Sequence, residues 1–187
     1  MSEARARLLG TATELFYTEG LHSVGIDRII ATAGVTRATL YRHFPSKDAL
    51  AVAYLTQADD ALRARADSAR TQEATPQDTL RAIARFIAED VQSPGFRGCA
   101  FLNATAEYPD PAHPVHQAVL SHRQWFLETV TQLVSATGES DPNTASRHFV
   151  MLRDGAMAAG CLTDPRPVAE TFLLGIEGIL EHLDHNR

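Results

Sequence analysis

The chain of 187 residues has only two cysteines, Cys99 and Cys161, so it cannot form the disulfide framework of a small secreted domain. It also has no apolar run near the roughly 20 residues that a membrane-spanning helix needs. The first residues are polar and lead directly into an amphipathic pattern, so we expect no signal peptide. These absences predict a soluble protein of the reducing cytoplasm.

The chain also lacks an excess of positive charge, since its net charge is −6 at pH 7. That total argues against nucleic-acid binding, but its distribution matters more. Residues 1–50 carry six Lys or Arg and five Asp or Glu, whereas residues 51–187 carry 11 and 18. The acidity therefore lies in the larger C-terminal part, and the N-terminal part can hold a local basic face.

Apolar residues recur at helical spacing along the chain, and we find no convincing strand. The first two helical stripes end at Gly20 and Gly34, and glycine is a common helix stop. A fourth helix begins after Ser46 and runs towards Ala66, and the polar stretch 68–75 reads as a loop. The pattern predicts an all-α protein of about nine helices.

The second and third helices are short and joined by Gly34-Val35, the arrangement of a helix-turn-helix. Leu40 and Phe44 are four residues apart in the third helix and should face inward. The remaining side chains offer donors for phosphates and base edges, and a methyl group for thymine. They are Arg37, Ala38, Thr39, Tyr41, Arg42 and His43. A helix that served only for packing would not expose Tyr, Arg and His together.

This part of the sequence resembles the TetR family of transcriptional repressors over residues 5–55. The resemblance is carried by Gly20, Ile26, Asp27, Ile29, the run AGVTRATLYRHF at residues 33–44, and SKDAL at residues 46–50. Three residues depart from the family pattern. Val24-Gly25 stands where a hydroxyl pair is frequent, which removes a possible phosphate contact, and Ala38 stands where glycine is common.

The resemblance implies a role for each side chain in binding DNA. Arg37, Ala38 and Thr39 would face the major groove, and Tyr41 and His43 would contact phosphates or nearby bases. Lys47 would bind a phosphate together with the amides that begin the fourth helix. The complete DNA-binding set is Arg28, Thr36, Arg37, Ala38, Thr39, Tyr41, Arg42, His43 and Lys47. One alternative is that these polar residues form a solvated face with no binding role. For Tyr41, a second alternative is a role in packing.

The resemblance also implies a division into a helix-turn-helix DNA-binding domain at residues 1–48 and a ligand-binding and dimerisation domain at residues 49–187. Candidates for an apolar ligand pocket with a few polar groups are Phe86, Phe101, Asn103, Tyr108, Trp125, Phe126 and Met151. Candidates for a dimer interface of paired helices are Phe149, Leu152, Ala156, Ala159, Ile176, Ile179 and Leu183. Both sets could equally be ordinary helical core.

The C-terminal part contains two further candidate sites. His113, His116 and His122, with Cys99, could bind a metal, but their spacing is not that of a known metal motif. Cys99 could be a redox-sensing thiol beside Arg97, although a buried structural cysteine is the simpler interpretation. We therefore predict neither a metal nor a cofactor.

The resemblance implies a ligand-responsive repressor that binds palindromic operator DNA as a homodimer and is released by a small-molecule inducer. An activator of the same fold is an alternative. A helical enzyme is disfavoured, because we find no phosphate loop, nucleophile elbow or paired carboxylates. An architectural protein that wraps DNA is disfavoured by the acidic C-terminal part. We expect no enzymatic activity and no membrane partner.

Overall fold

The computed structural model describes residues 2–185, the last two by their backbone only. Within that range every regular element is an α-helix, which confirms the all-α prediction. The helices are α1 (Glu3–Glu19), α2 (Ile26–Ala33), α3 (Arg37–His43), α4 (Lys47–Gln72), α5 (Pro76–Val91), α6 (Ala100–Glu107), α7 (Pro114–Ser135), α8 (Pro142–Ala159) and α9 (Pro165–His185).

Several helices begin at the capping residues that the sequence indicates. The Thr36 side chain accepts a hydrogen bond from the Thr39 amide, and the Thr75 side chain accepts one from the Asp78 amide. Pro76 then occupies the first position of α5, where its missing N–H costs nothing. The predicted starts of α3 and α5 are therefore confirmed.

The predicted loop at residues 68–75 is wrong for its first five positions, because α4 continues to Gln72. Ala66 and Ala69 are buried and continue the inward face of α4. The polar side chains bond within the helix, since the Gln72 amide group donates to the Ser68 hydroxyl at 3.0 Å. The polar composition of this stretch predicts a loop, but its small alanine residues pack inward and the helix continues.

The chain forms two compact units. The first combines the described residues up to Asp60 with Ala100–His122, and the second combines Ala61–Cys99 with the described residues from Arg123 onward. Helices α4 and α7 each contribute residues to both units. The predicted division at residues 48 and 49 concerns function and stays a prediction.

In the first unit, α1 packs against α2 and α3. The apolar faces of these helices meet at Leu8, Ile29 and Leu40, whose side chains are fully buried. Phe16 continues this core to Tyr54 on α4, with 5.9 Å between the ring centroids. The core therefore holds α3 from one side and leaves its opposite side to solvent.

In the second unit, α5 and α8 pack against α9. Phe149 on α8 meets Phe172 on α9 edge to face, with the centroids 6.5 Å apart, and also meets Phe126 on α7 at 6.4 Å. Leu80, Ile176 and their neighbours complete an apolar core. No described helix is both long enough and apolar enough to cross a membrane.

Candidate DNA-binding surface

The turn between α2 and α3 depends on Gly34. Its φ of 63° and ψ of 41° are left-handed, a conformation that glycine adopts without steric cost. The Gly34 amide donates to the Ala31 carbonyl at 3.4 Å and the Val35 amide donates to the Ile30 carbonyl at 3.1 Å. These two bonds form a Schellman motif that ends α2 and sets the direction of α3.

Helix α3 buries Leu40 completely and exposes Arg37, Ala38, Tyr41 and Arg42. The Thr36 cap keeps its hydroxyl 2.9 Å from that of Thr39. The helix thus presents guanidinium, phenol and methyl groups on one accessible surface, the residue types that contact phosphates and base edges.

Two predicted DNA-binding arginines are held by acidic neighbours. Arg28 on α2 donates to Glu19 on α1 at 3.1 Å. Arg37, the first residue of α3, donates to Asp27 on α2. Both pairs are exposed, so each contributes little to the stability of the fold.

The side chains of Tyr41 and Arg42, by contrast, make no hydrogen bond or ion pair with another described residue. Arg42 lies at a concave surface of about 600 Å³ that is also lined by Arg7 on α1 and by the Gly34 turn. Sequence reasoning missed Arg7, because its place beside α3 follows from the packing of α1 and from no spacing in the chain. Two arginines at one concave surface suit a nucleic-acid phosphate.

The last two predicted contacts lie at the end of α3 and the start of α4. His43 is half-buried, with its Nε2 3.3 Å from the hydroxyl of Ser2. Lys47 donates from Nζ to the carbonyl of His22 at 3.3 Å. The structure therefore brings eight of the nine predicted side chains onto α3 and its two flanks, and Arg28 lies on α2.

A junction of α6 with the turn after α1 also lies in this unit. The Glu107 carboxylate accepts hydrogen bonds from the amides of Leu21 at 2.8 Å and His22 at 2.5 Å. The Tyr108 hydroxyl donates to Asp48 on α4 at 3.3 Å. Burial, and then the nearby Asp48 charge, raise the pKa of Tyr108 to about 12. We call Glu107 and Tyr108, with these contacts, the α6 junction.

The predicted ligand-binding residues are divided between the two units. Phe101, Asn103 and Tyr108 lie in the first, and Phe86, Trp125, Phe126 and Met151 lie in the second. Phe86 and Trp125 are covered by arginines, with the Arg65 and Arg63 guanidinium carbons 4.8 and 4.3 Å from their ring centres. Asn103 is exposed. Met151 lines a surface groove on α8 and α9.

The predicted dimer residues separate into two groups. Four of them are buried within the chain itself, namely Phe149, Ala156, Ile176 and Leu183, although Ala156 also lines the surface groove on α8 and α9. Their role in a dimer interface stays a prediction. Leu152 is exposed, and Ala159 and Ile179 are half-buried.

The surface groove of about 330 Å³ on α8 and α9 is lined mainly by apolar or small residues, including Met151, Leu152, Gly155, Ala159 and Val168. We call it the α8–α9 groove. Leu174 on α9 is also exposed, and sequence reasoning missed it because a helical stripe does not show which apolar side chains the core leaves uncovered.

The three histidines named as candidate metal ligands each lie close to an oxygen atom of another residue. His113 Nε2 lies 3.4 Å from Asp48, His116 Nδ1 lies 2.6 Å from the Tyr108 carbonyl, and His122 Nδ1 lies 2.7 Å from Asp59. Among the described residues no group of three or more His, Cys, Asp or Glu side chains could hold a metal ion.

Cys99 is buried beside Arg153 on α8, which donates to its sulfur at 3.2 Å. Arg153 also donates to Asp154, which accepts a second bond from Arg123 at 2.6 Å. Burial alone would lower the pKa of Arg153, but Cys99 and Asp154 outweigh it and raise that pKa. An arginine that bonds to the thiol thus comes from α8, 54 positions along the chain, which the sequence neighbourhood of Cys99 does not reveal.

Comparison with known proteins agrees with this arrangement. Residues 8–54 match the family described as bacterial regulatory proteins, tetR family. The crystal structure of a TetR-family transcriptional regulator from Streptomyces coelicolor is 65% identical, with a TM-score of 0.95, and the alignment covers 98% of this chain and 97% of that one.

Two further relatives differ in extent. The HTH-type transcriptional regulator YjdC of Escherichia coli is 26% identical over 157 residues, 82% of this chain and 81% of its own length. The HTH-type transcriptional activator FasR of Mycolicibacterium smegmatis is 43% identical over 60 residues, 32% of this chain and 27% of its own. With the helix-turn-helix surface and the nearly full-length match, these similarities confirm the resemblance: the chain belongs to the TetR family of bacterial transcriptional regulators.

Proposed function

We propose that this regulator is a repressor that binds palindromic operator DNA as a homodimer and is released by a small-molecule inducer. The observation that carries the proposal is the exposed surface of α3, where Tyr41 and Arg42 have no described polar partner. Long polar side chains left without partners on a rigid helix are available to phosphates and base edges. Such a protein would act in the cytoplasm, where it meets the chromosome.

The α8–α9 groove supports the homodimer. Apolar side chains at a surface are stabilised when a partner covers them, and Gly155 in the groove allows two helices to approach closely. A palindromic operator requires two recognition helices, and a two-fold dimer supplies them. We accordingly propose that residues 1–48 bind DNA, and that residues 49–187 bind the inducer and the second copy.

The α6 junction supports the release by an inducer. Glu107 and Tyr108 are bonded to the turn after α1 and to the start of α4, so a shift of α6 would move both supports of the DNA-binding helices. An inducer that binds more tightly to the shifted arrangement would lower the affinity for operator. The seven ligand-binding residues named from the sequence stay a prediction.

The experiment that tests the proposal is a binding titration against the DNA upstream of the protein's own gene, at several salt concentrations. We expect a palindrome whose half-sites lie about one helical turn, or a small multiple, apart. If about six phosphates are contacted, the affinity should fall by about 10³ between 50 and 200 mM salt. Tyr41→Ala should bind much more weakly than the wild type.

Leu120→Ala is the matched control, because Leu120 and Tyr41 lie in the same unit and are 44% and 43% exposed. It should bind like the wild type. If the upstream region contains no operator, a genome-wide selection of bound DNA should find one located elsewhere. The proposal would be overturned if the wild type bound no genomic site more tightly than random DNA.

Activation of transcription is the second candidate, because FasR, the relative with local similarity, is named an activator. The similarity lies within 60 residues of this chain. A reporter gene under the bound promoter separates the two roles. Deletion of the regulator raises expression if it represses and lowers expression if it activates.

A further inference from the structure

Asp27 is an acidic side chain on the surface that we propose binds DNA. It stands in the first turn of α2, its side chain is 81% exposed, and it accepts a hydrogen bond from Arg37 on α3. A carboxylate at such a surface repels phosphates. Its position therefore needs an explanation beyond general attraction to DNA.

Arg37 is equally unexpected as a purely structural residue. It is the first residue of α3, and a positive charge at a helix N-terminus is unfavourable to the helix dipole. Its side chain remains 54% exposed although it is paired. One terminal nitrogen, Nη2, bonds to Asp27, which leaves the other guanidinium donors free to contact a base.

The two arginines of α3 are held differently. Arg42 has no described polar partner and can follow a flexible phosphate backbone, whereas Arg37 is fixed by a carboxylate from the neighbouring helix. Reading a base requires a fixed orientation, because a guanidinium recognises guanine through two parallel bonds to O6 and N7. A side chain that is already oriented loses less conformational entropy when it binds.

We propose that Asp27 is a positioning residue that orients Arg37 for recognition of one guanine in each operator half-site. This inference rests on the proposed DNA-binding function and adds to it the base that Arg37 reads. Asp27 acts through Arg37, and its charge also disfavours Arg37 contacts with phosphates alone. The pair thereby exchanges some affinity for sequence preference.

The test is a selection of bound duplexes from a pool of randomised palindromic DNA. It compares the wild type with Asp27→Asn, Asp27→Glu and Arg37→Ala, followed by titrations of the selected site with its guanine replaced. We expect Arg37→Ala and Asp27→Asn to lose about tenfold of the preference for that guanine, within the range of one bidentate contact. Asp27→Glu keeps a carboxylate and should retain most of the preference.

Glu14→Gln is the matched control, since Glu14 is exposed on α1 in the same unit and its removal changes the net charge equally. It can raise affinity for all DNA but should leave the guanine preference unchanged. Thermal unfolding of Asp27→Asn measures any separate contribution of this acid to the α2 N-terminus, where an acidic residue is favourable.

The outcomes separate the two proposals. If Asp27→Asn binds all sequences more tightly and keeps the guanine preference, Asp27 only weakens binding and the inference is overturned. The inference is also overturned if Arg37→Ala retains the guanine preference. In both cases the proposed DNA-binding function is unaffected. If the wild type selects no sequence from the pool, the proposed function fails, and the inference fails with it.

Discussion

Charged and apolar side chains are distributed in opposite ways in two regions of this molecule. On α3, Arg37 and Arg42 are exposed and Leu40 is fully buried. On α8 and α9 the arrangement is partly reversed, since Arg153 is only 5% exposed while Met151 and Leu174 are 70% and 74% exposed. The second region thus buries a charge and leaves large apolar surfaces to solvent.

The difference between these regions shows which side chains stabilise the fold and which are left for binding. An exposed arginine is well hydrated, so α3 can keep its charges ready for DNA at little cost in stability. A buried arginine is costly unless it is paired, and Arg153 has both Asp154 and Cys99 as partners. Exposed leucine and methionine contribute little to the fold of one chain, which is why we propose that a second copy covers them.

Removing the carboxylate beside the buried arginine should have the largest effect. Asp154→Ala leaves Arg123 and Arg153 without their acidic partner, and we expect a loss of about 3 kcal/mol in the free energy of unfolding. Urea denaturation measures this loss. Asp67→Ala, which removes an exposed carboxylate from α4 in the same unit, should cost less than about 0.5 kcal/mol.

The pH dependence gives a second check on Asp154. Burial alone would raise its pKa, but hydrogen bonds from Arg123 and Arg153 outweigh burial and lower it below the ordinary value of 3.8. The stabilisation is therefore present above pH 3.8 and disappears as the pH falls through the lowered pKa. A difference from Asp154→Ala that vanished already between pH 7 and 5 would contradict this assignment.

The exposed apolar side chains should matter between chains. Leu152→Glu places a charge in the α8–α9 groove, which we propose is covered by the second copy, and we expect dimerisation to weaken by about 2 kcal/mol, near 30-fold in Kd. Sedimentation equilibrium measures this change. Leu120→Glu, the same substitution at another exposed leucine, should leave the association unchanged, and equal weakening by both variants would locate the interface elsewhere.

The smallest effect on folding should come from α3. Arg42→Ala removes an exposed side chain without a described partner, so the free energy of unfolding should change by less than about 0.5 kcal/mol. Binding to operator should weaken for all sequences alike, and the slope of log affinity against log salt should fall by about one. Arg42→Lys should restore that slope. A changed sequence preference would show that Arg42 reads a base.

The α2–α3 region could be predicted well because its signals are local. Gly34 and Thr36 act through backbone atoms within five residues, and Leu40 and Phe44 occupy one face of a single short helix. These rules need no knowledge of the rest of the fold. The wrong loop at residues 68–75 shows their limit, since the burial of Ala69 depends on neighbours that the local composition does not reveal.

The contacts that join distant segments were not predictable in the same way. Glu107 bonds to the Leu21 amide across 86 positions, and Arg153 bonds to Cys99 across 54. On α8, Phe149 and Leu152 both belong to apolar stripes, yet only the packing of α9 and α7 decides that the first is core and the second is surface. An apolar stripe predicts which face of a helix is apolar, but it does not predict whether this chain or a partner covers that face.

The hydrogen bond between Ser2 and His43 has a practical consequence for handling the protein. It places the beginning of α1 next to the end of α3, so a purification tag fused ahead of Ser2 would emerge beside the recognition helix. A basic tag there would add its own attraction for DNA, and a bulky tag would keep α3 from entering the major groove of DNA. Protein prepared for binding studies should therefore carry the tag at another position or have it removed by a protease.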